Sequence, residues 1–244
     1  MTSPNIDAKP HVVTEVRGLS LSLVSYTRSL ELCARMNYET EVLDFIDRIA
    51  PGEVLYDLGA CEGRFALYAA KRGIECYAFE PEASNFQAMQ ENVELNGDAA
   101  RTHLHPVNCA VGDHSGTAVL RIGQPWAGGH HKTVAEAADR VDLQFEAVTE
   151  QEIKIVSLDE HIAAAGLPAP DYLKVDVDGS EIPFMKGAAR TLTSPSLKAV
   201  IFELFQPDDS YAYVTARLKE LGFTVGEHYP VPNAPELFNV LFTR

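Results

Sequence analysis

The chain has 244 residues, 46% of them hydrophobic and 23% charged, with a formal charge of −15. That length suits one large α/β domain, and no apolar run approaches the roughly 18–20 residues that a membrane span needs. So acidic a surface repels nucleic-acid phosphates and anionic lipid, and no basic stretch offsets it, so the expected partner is a small molecule, not nucleic acid or a membrane.

Met1 to Pro10 is polar, carries two prolines and reads as a loose tail, not a signal peptide. Cys33, Cys61, Cys76 and Cys109 are widely spaced, with no CxxC or Cys/His ligand pattern. They read as reduced thiols, mostly core filler, in a cytoplasmic protein. From Tyr38 to Ala50 the apolar residues Val42, Phe45, Ile46 and Ile49 fall on one helical face, which Pro51-Gly52 ends. Residues 1–50 are therefore expected as an N-terminal helical extension, which would cap a pocket or form a homodimer interface.

Glu53 to Leu58 reads as a short buried strand running into a glycine turn, and Gly63 to Arg72 as a helix. Ile74 to Glu80 follows as a second strand and Pro81 to Asn96 as a second helix, with Phe86, Met89 and Val93 on one face. This alternation is the signature of a parallel sheet with crossover helices. Asn92 and Asn96, spaced i, i+4, read as that helix's polar face and end. Thr102 to Val111 is expected as a third strand, and Gly116 to Ile122 as half of a hairpin. From about 123 to 150 the reading is an irregular insertion, of the kind that forms a lid or binding loop. Val134 to Glu160, with eight acidic residues against Arg140 and Lys154, reads as solvated and mobile. Tyr172 to Val177 is a further strand, Pro183 to Leu192 a helix and Lys198 to Phe205 a strand. A helical face at Tyr211, Val214, Leu218 and Leu221 and two closing strands, near Phe223–Tyr229 and Leu237–Thr243, complete the chain. An antiparallel last pair suits that ending.

Two segments carry the chemistry. In the first, a strand ends in Asp57-Leu58-Gly59-Ala60-Cys61-Glu62-Gly63 and Glu80 closes the next strand. Glycines there let a cofactor approach the backbone, and an acid at the end of the second strand is placed to accept both ribose hydroxyls. A nicotinamide cofactor fits that spacing too, but the turn is GxxxG and lacks the middle glycine of GxGxxG. Asp57 disfavours a pyrophosphate and favours a cationic sulfonium, which points to S-adenosylmethionine (SAM). In the second segment Lys174, Asp176, Asp178 and Glu181 crowd the mouth of a central strand, where unpaired charge is costly. Asp176 and Asp178 lie on one side if the chain stays extended. Either is a candidate base for a hydroxyl acceptor, against a reading as a salt-bridged strand end with Ser180 capping the helix.

Trp126 to His131 has the look of an active-site loop, and His130 and His131 are further candidate bases. Adjacent histidines point apart, so no metal site is expected. Cys61 has no basic neighbour in sequence and is not read as a nucleophile. Glu203, inside the apolar FELF segment, is either a paired core acid or a pocket wall.

The stretches YDLGACEGRFALYAA, FEPEASNFQAMQENVELNG, NCAVGDHSG and LKVDVDGSEIPFMKGA with IFELF resemble the FkbM family of SAM-dependent methyltransferases. They span about Glu53 to Phe205. The resemblance implies a Rossmann-like class I methyltransferase fold: a mostly parallel seven-stranded sheet, helices on both faces and an antiparallel C-terminal strand. It implies a domain over 51–244, SAM as donor, and O-methylation of a sugar, lipid or secondary metabolite. It places Asp57, Gly59 and Gly63 at the methionine part of SAM, Glu80 at the ribose, and Gly112-Asp113 near the adenine. Ala60, Pro81 and Asp176 complete the expected cofactor set. Family members often carry Glu where this chain has Asp178. A nicotinamide-dependent oxidoreductase and a non-catalytic SAM-binding module stand as the alternatives.

Overall fold

The computed structural model describes residues 9–129, 132–135, 146–232 and 234–244. It begins with a hairpin, not a helix: β1 (His11–Val16) pairs antiparallel with β2 (Leu19–Val24). The expectation of a helical extension over residues 1–50 missed this hairpin, and the reason is local. Leu19, Leu21 and Leu23 alternate with serines, the period of a half-buried strand. Arg17-Gly18 turns the chain with φ of 50° and 82°, the positive values a two-residue hairpin turn requires. Helices α1 (Arg28–Cys33) and α2 (Thr40–Ile46) follow, the second within the span that periodicity predicts.

The central unit then builds as expected. Strand β3 (Val54–Leu58) leads through the glycine turn to α3 (Arg64–Lys71), then β4 (Glu75–Phe79) to α4 (Ala83–Leu95) and the short α5 (Gly97–His103). The expected third strand is two strands in different sheets, β5 (Leu104–Val107) and β6 (Ala110–Gly112). Pro106, which has no N–H to give, sits in β5 at the edge of the main sheet.

A small second sheet, in the order β6-β9-β7-β8, flanks the region expected as irregular and takes two of its strands, β8 and the start of β9, from it. Its members are β6, β7 (Gly116–Ile122), β8 (Lys132–Val134) and β9 (Thr149–Ser157). Strand β9 corrects the reading of 134–160 as wholly mobile surface. Glu150, Glu152 and Lys154 face solvent, while Ile153 and Ile155 are buried against Ala118, Leu120 and Ile122. Counting acids hid a period of two.

The chain continues through α6 (Leu158–Ala165), β10 (Tyr172–Val175), α7 (Glu181–Gly187), α8 (Ala189–Thr193), β11 (Ala199–Phe205), α9 (Asp209–Glu220), β12 (Thr224–Val231) and β13 (Ala234–Thr243). The main sheet has the order β12-β13-β11-β10-β3-β4-β5. All its pairings are parallel except the two that β13 makes, with β11 and β12. That is the seven-stranded, mostly parallel sheet with an antiparallel C-terminal strand that the sequence leads one to expect.

Alternation along the strands divides the core into two layers. Leu55, Tyr172, Ala199 and Ile201 pack with α2, α3 and the hairpin, through Phe45, Phe65, Leu21 and Leu23. Tyr56, Leu173, Val200 and Phe202 pack on the other face with Leu158, Phe184, Leu192 and Val214 of α6 to α9. The first layer reaches the carboxyl edge of the sheet as polar residues, because Asp57, Lys174, Asp176 and Glu203 continue its period-two rows. No described helix is long and apolar enough to cross a membrane.

Candidate active site

A cavity of about 1090 Å³ opens at the carboxyl ends of the parallel strands, where open α/β sheets bind ligands. The turn after β3 forms its floor. Gly59 has φ 78°, and a Cβ there would overlap the carbonyl oxygen of Asp176, so only glycine lets the ends of β3 and β10 approach this closely. Gly63 (φ 78°) is required by packing, since a Cβ would sit 2.6 Å from Met89 Cγ on α4. Gly59, Cys61, Arg64, Phe79, Glu80 and Pro81 line this end of the cavity. Ala60 and Gly63 lie behind that lining and shape the turn.

Glu80 caps the end of β4 and is only 5% exposed. One carboxylate oxygen accepts the Cys61 N–H and the other the Glu82 N–H, both at 2.9 Å. Burial pushes its pKa up to about 7, against those two N–H groups and Lys132, which favour the ionised form. The Cys61 thiol is also pushed up, by burial and by the carboxylates of Glu62 and Glu80, which agrees with its reading as a non-nucleophile.

Asp57 does not reach the cavity. It is 1% exposed and forms an ion pair with Lys174, Nζ to Oδ1 3.1 Å. Lys174 also stands 3.4 Å from Asp176 Oδ2. Burial alone would lower the Lys174 pKa, but Asp57 and Asp176 outweigh it and keep the ammonium charged. Asp57, expected beside the methionine part of a ligand, stands one layer below the lining, against Lys174. Lys174 pairs with Asp57 and Asp176, the salt-bridged strand end of the alternative reading, and Ser180 makes no side-chain cap bond.

Asp176 and Asp178 both line the cavity, though not as neighbours on an extended strand. Strand β10 ends at Val175, and Asp178 turns the chain with φ 38°, its carbonyl accepting the Thr133 hydroxyl at 2.8 Å. Gly112 and Asp113, expected near the adenine, are not among the residues that line the cavity. They belong to the second sheet and its turn, and the wall near the end of β5 is Cys109, Ala110 and Val111 instead. The chain leaves the main sheet after Val107, which shifts the lining two to three residues earlier. His130 and His131 lie outside the described residues.

Residues before β3, expected to cap a pocket or form a homodimer interface, supply a wall of the cavity, although no individual residue among them is singled out by pattern. Ser29, Leu32, Cys33, Tyr38 and Glu39 line the cavity. Glu39 (φ 53°) precedes α2 and ion-pairs with Arg64, which also meets Glu62 at 3.2 Å and stacks on Tyr38 and Phe65. The 126–129 loop docks on the same wall: Thr27 Oγ1 donates to the Ala127 carbonyl and Trp126 Nε1 to Ser29 Oγ. Glu203 also lines the cavity, which resolves its two readings in favour of a pocket wall. Glu39, Asp176 and Glu203 each bring a carboxylate oxygen within 4.8 Å of the others. Non-glycine residues with positive φ gather here too, since Glu39, Cys61 and Asp178 are three of the five among the described residues, the clustering of backbone strain that functional sites show.

A family profile described as Methyltransferase FkbM domain matches residues 57–225. The chain is 30% identical to 31-O-demethyl-FK506 methyltransferase FkbM of Streptomyces tacrolimicus, over 80% of this chain and 82% of that protein. It is 28% identical to the hexuronic acid methyltransferase AglP of Haloferax volcanii, over 58% of this chain and 52% of AglP. Among solved structures, a methyltransferase FkbM from Methylobacillus flagellatus superposes with a TM-score of 0.53 at 15% identity, over 88% of this chain and about half (52%) of that one. That likeness is one of fold, the class I methyltransferase arrangement.

Proposed function

We propose, from the premise that this chain belongs to the methyltransferase FkbM family, that it uses SAM to methylate a hydroxyl of a small molecule. The observation that carries the donor assignment is Glu80, a buried carboxylate at the end of β4 facing the cavity beside the Gly59 turn. Its oxygens are already oriented by the Cys61 and Glu82 N–H groups, and each keeps lone pairs for a ribose hydroxyl. The cavity volume, at or above the ordinary range of about 300–1,000 Å³ for ligand sites, accommodates a nucleoside-sized donor with room for an acceptor.

Charge supports the choice of SAM over a dinucleotide. Glu39, Asp176, Asp178 and Glu203 line the far part of the cavity, while Lys174 and Arg64 are each shared between two carboxylates. That excess of negative charge suits a sulfonium and opposes a pyrophosphate. Bound SAM supplies an electrophilic methyl group. The residues of this chain do the rest: Glu80 holds the sugar, and the Gly59 turn and Asp176 hold the amino-acid portion. The walls from Ser29 to Glu39 and from Lys132 to Val134 keep water away and orient the acceptor oxygen.

The names of the relatives favour this reading: one acts on 31-O-demethyl-FK506, an O-demethylated acceptor, and the other on a hexuronic acid. Residues 51–244 form the catalytic domain in this reading, and Lys132 and Val134 of the second sheet stand at the cavity beside the acceptor. The formal charge of −15 weighs against nucleic acid and anionic membrane as partners, and four free thiols suit the cytoplasm.

The test has two parts. Thermal unfolding with SAM, S-adenosylhomocysteine, NAD and NADP should show a rise with the first two alone, since a ligand at about 100 times its Kd adds roughly 2.7 kcal/mol. Methyl transfer is then followed by mass spectrometry over a panel of neutral hexoses, hexuronic acids and hydroxylated macrolides, including 31-O-demethyl-FK506. Stabilisation by a dinucleotide instead contradicts the donor assignment, and transfer to none of the panel contradicts O-methylation.

A further inference from the structure

We propose that Glu203 is the group that takes the proton from the acceptor hydroxyl, in place of the aspartates and histidines that the sequence nominates. The inference rests on the O-methyltransferase reading above and adds a catalytic residue to it. Strand β11 pairs with β10 as far as Val175↔Phe202. Glu203 is therefore the first residue of β11 beyond that pairing, just as Asp176 is the first beyond β10. Ala199 and Ile201, on the same face of β11, are buried in the core, so the row that is apolar below becomes a single carboxyl at the cavity.

Its surroundings separate it from the other acids of the site. Asp176 is occupied by an ion pair with Lys174 at 3.4 Å. Glu39 is bound to Arg64. Asp178 lies beyond the turn, on a chain segment held by Thr133. The Glu203 side chain makes no hydrogen bond or ion pair among the described residues, yet its carboxylate lies within 4.8 Å of those of Asp176 and Glu39. Across the antiparallel ladder its partner is Asn239, whose amide is already donated to Glu41 at 2.8 Å. The charged groups that face it are Asp176, Glu39 and Asp178, which oppose its ionisation, and Lys174, which favours it. Burial and that carboxylate excess raise its pKa well above the ordinary glutamate value, so its carboxylate holds a proton more tightly than an ordinary glutamate does.

The step balances without a further reactant. The hydroxyl oxygen forms the new bond to the methyl carbon, and the carbon–sulfur bond breaks with its electron pair left on sulfur, giving a neutral thioether. The hydroxyl proton passes to a Glu203 carboxylate oxygen and then to solvent.

The test compares wild type with Glu203→Gln, which keeps the shape and removes the base. Affinity for S-adenosylhomocysteine, by calorimetric titration, should change less than about threefold, because Glu203 is outside the nucleoside end. With glutamate carboxyls labelled with carbon-13, one NMR signal absent from the variant should titrate well above the ordinary value of about 4.3. The third readout is transfer from SAM to whichever panel acceptor wild type methylates fastest. The variant's kcat should fall about 10²–10⁴-fold, and the limb of the wild-type profile that rises with pH should disappear. A Glu203 signal titrating in the ordinary range, or a variant kcat within about threefold with the limb intact, overturns the proposal. So does wild-type transfer that stops in EDTA and returns with magnesium, since the three carboxylates would then serve a cation. Failure of wild type to bind S-adenosylhomocysteine, or to methylate any of the panel, is instead the failure of the underlying reading.

Discussion

Glu80 and Asp57 show how little sequence position says about a side chain's task. Both are acids at the end of a parallel strand, yet one faces the cavity and the other is sealed beneath it against Lys174. The difference follows from the period of two: Asp57 lies inside β3 on the face covered by α3, whereas Glu80 is one residue past the end of β4. The raised pKa of Glu80 has opposite consequences for folding and for binding. With a folded-state value near 7, above that of an unfolded glutamate, its contribution to stability is complete at low pH and is lost as pH rises through about 7. Ribose hydroxyls donate to the ionised form, so affinity should move the other way. If only the carboxylate binds, the Kd of S-adenosylhomocysteine should be about tenfold weaker at pH 6 than at pH 8, the ratio of ionised fractions for a pKa of about 7. Calorimetric titration across that range checks this, and a flat profile would mean that Glu80 is not the ribose acceptor.

At the scale of elements, the hairpin β1–β2 is held by two side chains that look ordinary in sequence. Asn92 and Asn96, expected as a polar face and helix end, point from α4 to the edge of β2. Asn96 accepts from Ser22 N and donates to Ser22 O, and Asn92 accepts from Val24 N at 2.8 Å while donating to the Glu62 carbonyl. The amides continue the strand's ladder where no strand is present, which satisfies backbone groups that burial would otherwise orphan. Asn92 is fully buried. Asn92→Ala leaves the Val24 N–H and Glu62 C=O without partners and should cost about 2–4 kcal/mol, which denaturant unfolding would measure. A loss below about 0.5 kcal/mol would show that the hairpin does not depend on this bond. Because the hairpin and α1 precede a cavity wall, the same variant should also loosen ligand binding.

The whole molecule was legible in proportion to how local each signal is. The β3–α3–β4–α4 unit and the closing antiparallel pair were readable because each element carries its own period and the glycine turn its own spacing. The hairpin was missed although LSLSLV alternates cleanly, since its neighbours are helical. Strand β9 was missed because charge density was weighed before alternation. Long-range facts were not readable at all. Nothing local indicates that Glu39 and Arg64 would meet beside Glu203, or that the main sheet would be abandoned at Val107 and so displace Gly112 and Asp113 from the lining. The end of the cavity at Gly59 and Glu80 was therefore legible from motif, and the wall at Ser29 to Glu39 only from tertiary structure. The most direct measurement is the titration of S-adenosylhomocysteine into wild type and Glu80→Ala at pH 8, with the ligand-free melting temperature of each recorded. The account predicts one site per chain in wild type and an affinity at least about tenfold weaker in the variant, the loss of roughly 1.4 kcal/mol or more of binding free energy. Equal affinity in the two proteins, or no binding by wild type, would contradict it.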